Sequence, residues 1–445
     1  MQHKIIPYLL LTAIATTSFL VGCGEEDPVT PNSKDTTTVN PSNPDTAKTD
    51  TTQTDTTKID TTGQDTIPAD TGEIVIPVDS TIHIAWKGTA AEVTIDEKLK
   101  DAIAYNVVGA DVTITNTDET GEFLFILSGS TTDGSFTYNG SFKTSFQFSG
   151  LNITSSKGAA VDIECGKRVK LKLEDGTTNS LSDAANGEQK AALYCRGHLE
   201  ISGGGDLKIT GNARHALASK EYLQLKSSVG NINIAKSVAD GIHCGEFFEM
   251  NGGAITLNNI GADGIQVETD SNSDEALNGQ FIMNGGSINL TVTTQDTKGI
   301  RLDAAENNTS IVPQMLINSG SITVNLTSTA LGSKAIASDG NLTIGTSTTS
   351  PTVNVTVAAG TYTDPSTGEE NRATGLKAEN TLTIAGGTTT VAATGAKARG
   401  VRATTLVATG GSLTVTNTGS KSQGIKLDNT FVSGQGGTVS GNFKY

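Results

Sequence analysis

The sequence predicts an all-β chain whose main part is a parallel β-helix, a solenoid in which each turn of the chain stacks on the previous one. A short phrase recurs from about residue 158 to the end, in which a small residue precedes an aliphatic, a variable residue and another small or apolar residue. Its later spacings lie near 24 residues, with three longer intervals of 35, 36 and 40, and such periods are typical of solenoids. The aliphatic residues of these repeats are Val161, Leu193, Leu217, Ile242, Ile265, Ile300, Ile336, Leu376, Val401 and Ile425.

The pattern within each repeat is the second observation that predicts strands. Apolar and polar residues alternate, as in LTIAGGTTTVAATG at residues 382–395, and Gly, Asn, Ser or Thr mark the corners. Alternation of apolar and polar residues at every second position indicates strands. Several short strands per repeat favour a β-helix over a helical solenoid. Aromatic residues make up only 4% of the chain, whereas it contains 50 glycines, which suits a thin aliphatic core closed by tight turns.

The chain begins with the pattern of an exported protein. Residues 1–22 combine Lys4 with a short apolar run, which predicts a signal peptide, and the end of this segment, LVGC, resembles a bacterial lipobox. That resemblance implies cleavage before Cys23 and lipidation of its sulfur, with an ordinary secretory signal as the alternative. The acidic run GEED at residues 24–27 resembles the export signal of surface-exposed outer-membrane lipoproteins. We therefore expect a lipoprotein at the surface of the outer membrane that contacts the membrane only through its anchor.

Residues 23–72 predict a disordered linker that carries the lipid anchor at one end. Aspartate recurs every five residues, each time followed by Thr, and aliphatic residues are too few to form a core. The repeated Asp-Thr pairs resemble O-glycan acceptor motifs, and a plain polar spacer is the alternative. Residues 73–445 are then one β-helix domain, in which the strand-like residues 73–150 are expected to form an N-terminal cap.

Charge and cysteine content narrow the classes of partner. The net charge of −16 argues against nucleic acid and anionic membranes, whereas an acidic surface is compatible with calcium. Cys195 and Cys244 share a repeat position but are two turns apart, about 10 Å, which is too far for a disulfide. A Cys165–Cys195 disulfide stays possible from the sequence.

Residues 120–270 resemble a known bacterial family. The motifs are SFQFSGLNITSSKGAAVDIECGKRVKLKLEDGTTNSLSD at 145–183, KAALYCRGHLEISGGGDLKITGN at 190–212, and then ADGIHCGEFFEMNGGAITL and DGIQVE. They are similar to the calcium-associated carbohydrate-binding β-helix domains, formerly a domain of unknown function. The resemblance implies a right-handed helix akin to pectate lyases, binding of plant-type polysaccharide and metal-assisted contacts. Residues 212–217 read NARHAL where the family commonly has an acidic NDGI motif, so a metal site there is in doubt.

The residue after each inward aliphatic should point outward, and stacking should align these residues about 4.8 Å apart. Within this column we predict a glycan-binding track that contains Tyr194, His243, Gln266 and Arg301. The alternative is a surface ladder whose charges merely neutralise one another.

Two groups of oxygen-bearing side chains predict calcium sites. Asp240 and Asp263 lie two residues before the aliphatic in consecutive repeats, where their carboxylates should repel each other unless a cation or hydrogen-bond donors intervene. The following loop supplies oxygen ligands of the kind that calcium prefers, although its spacing is not that of an EF-hand. These loop ligands are Glu268, Asp270, Asn272 and Asp274.

The leading prediction is a monomeric, surface-anchored protein that binds pectin-like or hydroxyl-rich polysaccharide, with calcium as a possible aid. It is predicted not to be an enzyme, because the sequence singles out no catalytic residue and lacks the common hydrolase motifs. A calcium-dependent polysaccharide lyase on the same fold is the first alternative. An adhesin-like structural stalk is the second.

Overall fold

The described part of the chain is all β. The computed structural model describes residues 80–434 and 436–445, so the predicted signal peptide, Cys23 and the linker lie outside it. The chain divides into two units, Met1–Thr66 and Ile67–Tyr445, and every described residue belongs to the second. In that described part, no helix is long and apolar enough to cross a membrane.

Short strands follow one another along the chain, and a single 3-10 turn, Glu97–Leu99, separates β2 from β3. They are β1 (Thr81–Lys87), β2 (Ala91–Thr94), β3 (Ile103–Val108), β4 (Ala110–Asn116), β5 (Leu124–Thr131), β6 (Gly134–Gly140), β7 (Thr144–Thr154), β8 (Val161–Glu164), β9 (Val169–Leu173), β10 (Thr178–Ser182), β11 (Ala191–Cys195), β12 (Leu199–Ser202), β13 (Asp206–Thr210), β14 (His215–Ser219), β15 (Leu223–Leu225), β16 (Asn231–Lys236), β17 (Ile242–Cys244), β18 (Phe247–Met250), β19 (Ala254–Leu257), β20 (Ile265–Val267), β21 (Gln280–Met283), β22 (Ser287–Val292), β23 (Lys298–Leu302), β24 (Gln314–Ile317), β25 (Ser321–Leu326), β26 (Lys334–Ser338), β27 (Asn341–Ile344), β28 (Thr352–Val357), β29 (Thr361–Thr363), β30 (Glu370–Arg372), β31 (Thr374–Ile384), β32 (Thr388–Ala393), β33 (Arg399–Ala408), β34 (Ser412–Asn417), β35 (Gln423–Leu427), β36 (Phe431–Ser433), β37 (Thr438–Ser440) and β38 (Phe443–Lys444).

From β8 to β25 each strand pairs in parallel with the strand three positions later, so every coil in this range contributes three strands. This confirms an all-β chain with a mostly parallel sheet, consistent with a β-helix or solenoid. We call the three rows of paired strands the first, second and third stacks. The first stack runs through β6, β8, β11, β14, β17, β20, β23, β26, the start of β31, the start of β33, β35 and β38. Along the chain, a strand of the second stack follows each strand of the first stack, and a strand of the third stack completes the coil.

The recurring aliphatic of each repeat forms the core of the first stack. All ten of these residues are completely buried, and the strand register places each directly above the next. Burying a side chain of this size contributes roughly 1.5–3 kcal/mol, which explains why these positions stay aliphatic in every coil. The repeat pattern therefore predicted the inward positions correctly.

Glycine at the corner between the second and third stacks has a steric cause. Gly253, Gly286 and Gly320 all adopt φ near +80°, a conformation that other residues rarely adopt. A Cβ on Gly286 would lie 2.5 Å from the carbonyl oxygen of Gly253, because successive coils approach closely at this corner. The repeated Gly-Gly turns thus permit stacking.

The N-terminal strands carry a different core. Phe146 packs against Phe125, Phe136 and Tyr138 with ring centroids 5.2 to 5.8 Å apart, and the Trp86 Nε1–H donates to the carbonyl of Ala110. Antiparallel pairing in this region is confined to the pairs β1–β2 and β3–β4, and from β5 onward these strands pair in parallel. After β9 most core side chains are aliphatic, with Phe248 and Phe281 stacked among them at a centroid distance of 5.0 Å.

The three lengthened intervals correspond to loops outside the coil. Residues 268–279 follow β20, residues 303–313 follow β23, and the antiparallel hairpin β29–β30 precedes β31. The first two loops contact each other, since the Asn308 amide donates to the carbonyl of Ser271. Insertions at a corner leave the stacked strands in register.

Cys165, Cys195 and Cys244 are free thiols in the structure, so the Cys165–Cys195 disulfide that the sequence left possible is not formed. All three are buried. Burial raises the pKa of the Cys195 and Cys244 thiols, which therefore behave as small core side chains.

Candidate functional site

The outward residues of the first stack form one continuous column, which we call the outward column. Strand register places each of them beside its equivalent in the next coil, as the repeat predicts. Its members are Asp162, Tyr194, Ala218, His243, Gln266, Arg301, Ala337, Lys377, Arg402 and Lys426.

Three of the four predicted glycan ligands lie together and one does not. His243, Gln266 and Arg301 occupy the adjacent strands β17, β20 and β23. Tyr194 is separated from His243 by Ala218 and is only 5% exposed, because the Lys190 ammonium lies 5.0 Å from its ring centroid and covers it. The structure thus leaves little of Tyr194 accessible to a polymer.

Arg301 is held by two carboxylates. Its guanidinium contacts Asp263 at 3.1 Å and also forms an ion pair with Asp303. Burial lowers the pKa of Arg301, but the charges of Asp303 and Asp263 outweigh it and raise the pKa overall. The Gln266 amide donates to the second oxygen of Asp303 at 2.8 Å, which fixes the two neighbouring side chains of the column.

Asp240 lies between two imidazoles. Its Oδ2 is 3.0 Å from Nδ1 of His243 and 3.2 Å from Nδ1 of His215, and the two rings are 4.5 Å apart. The backbone N–H of Asp240 also points to Nδ1 of His215 at 3.3 Å, and His243 donates to the carboxylate. His215, which sequence reasoning missed, stands where the NARHAL segment departs from the family pattern.

The pKa values of this cluster follow from burial opposed by the charged partners. Burial raises the pKa of Asp240, but the hydrogen bonds and charges of His215 and His243 bring it well below its usual range. Burial lowers the pKa of His243, yet Asp240 and the charge of Glu268 raise it overall. For His215 burial prevails and its pKa is lowered, so a proton in this cluster favours His243 over His215.

The expected repulsion between Asp240 and Asp263 is relieved by donors from the chain itself. Asp240 Oδ1 accepts from the backbone N–H of Asp263, and Asp263 Oδ1 accepts from that of Lys298. The other oxygen of each carboxylate faces imidazoles or the Arg301 guanidinium. Calcium binds oxygen ligands, so this nitrogen-rich surrounding does not fit a calcium site at the aspartate pair.

The acidic loop after β20 keeps its oxygens toward solvent. Glu268, Asp270, Asn272 and Asp274 are all exposed, and Asp270 Oδ1 accepts from the backbone N–H of Asn272. In the described part of the chain, two groups of at least three His, Cys, Asp or Glu residues have ligand atoms within 4.8 Å of one another, and neither includes Glu268, Asp270 or Asp274.

The second of these groups lies at the corner between the first and second stacks and was missed by sequence reasoning. It comprises His198, Glu221 and Glu246, at equivalent or adjacent corner positions of three successive coils. Its only sequence signal was that register, because Glu221 and Glu246 each stand one residue before an aromatic in consecutive repeats.

A second arrangement is a run of cations, which we call the cationic strip. Seven half-buried basic side chains occupy the outward column and the corner position three residues earlier, in coils that contain no acid at those two positions. They are Lys298, Arg301, Lys334, Lys377, Arg399, Arg402 and Lys426.

The charges of the cationic strip are only partly compensated. Arg402 and Lys426 share Asp428 at 3.4 and 3.2 Å, and Lys377 pairs with Glu379. Arg399 donates to the neutral amide of Gln423, and burial together with the charges of Arg402 and Arg372 lowers its pKa to about 10. Asp263 and Asp303 pair with Arg301, and Asp296 lies 3.7 Å from Lys334, so five carboxylates face the seven cations of the strip in a chain whose net charge is −16.

The third stack offers a different, uncharged surface. Its outward residues form a ladder of hydroxyls and amides through Thr256, Asn289, Thr323, Asn354 and Thr390. A shallow groove of about 420 Å³ lies at one end of this face. It is lined by Lys208, Asn233, Ala235, Asn258, Asn259, Thr291 and Thr293.

Comparison with known proteins gives one family, one relative and one solved structure. A family model described as carbohydrate-binding domain-containing protein matches residues 108–424. A protein of the same description from Acetivibrio thermocellus is 28% identical over 141 residues, which cover 29% of this chain and 49% of the relative, so the match spans about half the relative's length. The structure of the polysaccharide lyase-like protein from C. thermocellum, a gadolinium derivative, is 21% identical, with a TM-score of 0.45 over 62% of this chain and 96% of the other. A similarity that distant carries no argument about activity.

Proposed function

The chain belongs to the family of carbohydrate-binding domain-containing proteins, and from this premise we propose that it binds a uronate-bearing, pectin-like polysaccharide along the cationic strip. The observation that carries the proposal is the alignment of seven cations in two adjacent columns of an otherwise acidic protein. Coil spacing repeats these cations about every 4.8 Å, so a linear polyanion running along the coils meets several of them in succession. Arginine is well suited to such contacts, because its planar fork binds carboxylates through paired hydrogen bonds.

The strip extends the predicted track toward the C-terminus. Arg301 belongs to both, whereas His243 and Gln266 continue the outward column as polar neighbours able to contact hydroxyl groups. The aromatic member of the predicted track, Tyr194, contributes little because it is covered. Binding thus rests on charge and hydrogen bonding more than on aromatic stacking.

The test is a comparison of polygalacturonate with its methyl ester, which keeps the same backbone but lacks the charge. Affinity electrophoresis should show retardation by the acid, a much weaker effect of the ester, and loss of binding as salt rises from roughly 50 to 300 mM, since exposed charges are screened over about 10 Å at 0.1 M. Equal retardation by acid and ester would remove the strip from the proposal. Binding of neutral polymers alone would favour the third-stack face, and no binding to any polymer would favour the structural stalk.

Calcium assistance is proposed for the exposed loop alone. Four oxygen-bearing side chains project from this loop, and the imidazole of His243 lies beside one of them, with its Nε2 3.7 Å from Glu268. Carboxylate and amide oxygens are the ligands that calcium prefers.

Calorimetric titration of the protein with calcium should give a dissociation constant of roughly 10⁻⁴ to 10⁻³ M, the range of extracellular calcium modules. The double substitution Asp270→Asn and Asp274→Asn should abolish the heat of binding. A matched control, Asp364→Asn with Glu369→Gln, removes two charges from another exposed loop and should leave it unchanged. Absence of calcium heat in the unaltered protein would contradict a calcium role.

The remaining parts of the proposal rest on sequence. We propose that Cys23 is lipidated, that residues 23–72 tether a monomeric binding domain to the outer-membrane surface, and that the N-terminal strands cap a right-handed helix. The family description indicates binding more than catalysis. The lyase alternative would need a side chain that can accept a proton, whereas Asp263 and Asp303 keep the Arg301 guanidinium protonated. Ultraviolet-absorbing unsaturated product released from polygalacturonate with calcium at alkaline pH would establish the lyase instead.

A further inference from the structure

The corner cluster of His198, Glu221 and Glu246 lies apart from the cationic strip and has no role in glycan binding as proposed above. Nε2 of His198 is 2.6 Å from Oε2 of Glu221 and 3.8 Å from Oε2 of Glu246. Three potential ligand atoms, each from a different coil, therefore converge on one point.

One of the two converging carboxylate oxygens lacks a hydrogen-bond partner. Oε2 of Glu246 is buried and accepts no hydrogen bond from any described residue, whereas Oε2 of Glu221 is paired with the His198 imidazole. Glu246 is 7% exposed, so water reaches little of its side chain. An unpaired buried carboxylate oxygen costs free energy, and a cation is one of the few partners that would compensate it.

The surrounding residues hold the three side chains in place. The imidazole of His198 stacks on Tyr222 at 4.2 Å, and Tyr222 stacks on Phe247 at 4.5 Å. Oε1 of Glu246 accepts from the Ser273 hydroxyl at 2.6 Å, so the loop after β20 closes over the cluster and directs Oε2 toward His198. These contacts orient ligands in the way that outer-shell partners do in metal sites.

We propose that His198, Glu221 and Glu246 form a binding site for a divalent transition-metal ion of the zinc class. One imidazole nitrogen and two carboxylate oxygens suit zinc or manganese, whereas calcium takes oxygen ligands only. A tetrahedral zinc ion with bonds of about 2.1 Å separates its ligand atoms by about 3.4 Å, which lies between the two separations in this cluster. The site would link three coils and the loop after β20.

Zinc chloride titrated into chelator-treated protein, followed by calorimetry and by thermal unfolding, tests the site. One equivalent of zinc should bind and raise the melting temperature, because a ligand specific for the folded state stabilises it. His198→Gln and Glu246→Gln should each lower the zinc affinity of this site by at least about 100-fold. Loss of a direct ligand should have a larger effect than the 10- to 100-fold loss caused by removing an outer-shell partner. Calcium should not compete for the site.

The His215, Asp240 and His243 cluster provides the matched control. His243→Gln removes an imidazole from a second histidine-carboxylate group and should leave zinc binding at the His198 cluster unchanged. Zinc affinity that stays unchanged in both His198→Gln and Glu246→Gln overturns the proposal, as does absence of zinc binding in the unaltered protein. Zinc binding that is lost in His243→Gln but kept in His198→Gln also overturns the proposal, because the zinc ion would then lie at the other cluster. His198→Gln and Glu246→Gln should both retain polygalacturonate binding, so this result is independent of the proposed function.

Discussion

Replacing Lys377, Arg399 and Arg402 together with glutamine is expected to weaken polygalacturonate binding by about 100-fold, taking about 1 kcal/mol for each exposed charge-assisted contact. The three residues lie on β31 and β33, with Lys377 directly paired with Arg402 in the strand register. Their removal deletes the centre of the cationic strip but leaves the buried aliphatics untouched. Surface plasmon resonance against immobilised polygalacturonate at low salt would measure the change.

A control with the same loss of charge separates local contacts from net charge. Glutamine at Lys170, Lys172 and Lys208 removes three cations from the second and third stacks and should change the affinity by less than about threefold. The same reduction in both triple variants would contradict a localised track. Folding is checked by thermal unfolding, which we expect to differ little, since Arg399 sits in an unfavourable cluster with Arg402 and Arg372.

Asp240→Asn is expected to lower the free energy of unfolding by about 2–4 kcal/mol, because it removes the charge that a buried network is built around. The carboxylate is 5% exposed and faces His243 and His215, and it also accepts from the Asp263 backbone. Urea unfolding would give the difference. Asp270→Asn, in the exposed loop, should stay within about 0.5 kcal/mol of the unaltered protein.

The same substitution has a predictable pH dependence. The stability from the lowered pKa of Asp240 is present above its unfolded value of 3.8 and is lost as pH falls. The stability that comes from the raised pKa of His243 is fully present below pH 6.5. It is lost as the pH rises through the pKa that His243 has in the folded protein. The gap between the unaltered protein and Asp240→Asn should therefore be widest between about pH 4 and 6.5. His215, with its lowered pKa, acts in the opposite sense.

Nuclear magnetic resonance titration of His243 provides an independent measurement. Its pKa should drop below 6.5 in Asp240→Asn, because burial then opposes the charged imidazole and the remaining acidic neighbour, Glu268, is 3.7 Å away at Nε2. An unaltered His243 pKa, or equal stability of the two proteins at about pH 5.5, would show that Asp240 is not the partner that holds the proton.

The sequence was most informative where one physical rule governed a position. Each inward aliphatic was found because a solenoid core favours apolar side chains, and the outward column followed from strand alternation. The stacking of Asp240 and Asp263 followed from the same register. The pattern could not show which groups donate to the Asp263 carboxylate, because Lys298 and Arg301 lie 35 or more residues further along the chain.

The repeat by itself determined an all-β solenoid, its period, its inward residues and the order of its outward residues, because these depend only on local alternation and on the interval between repeats. Tertiary structure decided which outward residues are reachable and which share a site. It covered Tyr194 with Lys190, closed the loop after β20 over Glu246, and brought His198 beside two glutamates from later coils. Such contacts depend on side-chain direction at the corners, where insertions vary from coil to coil and the strand period no longer applies.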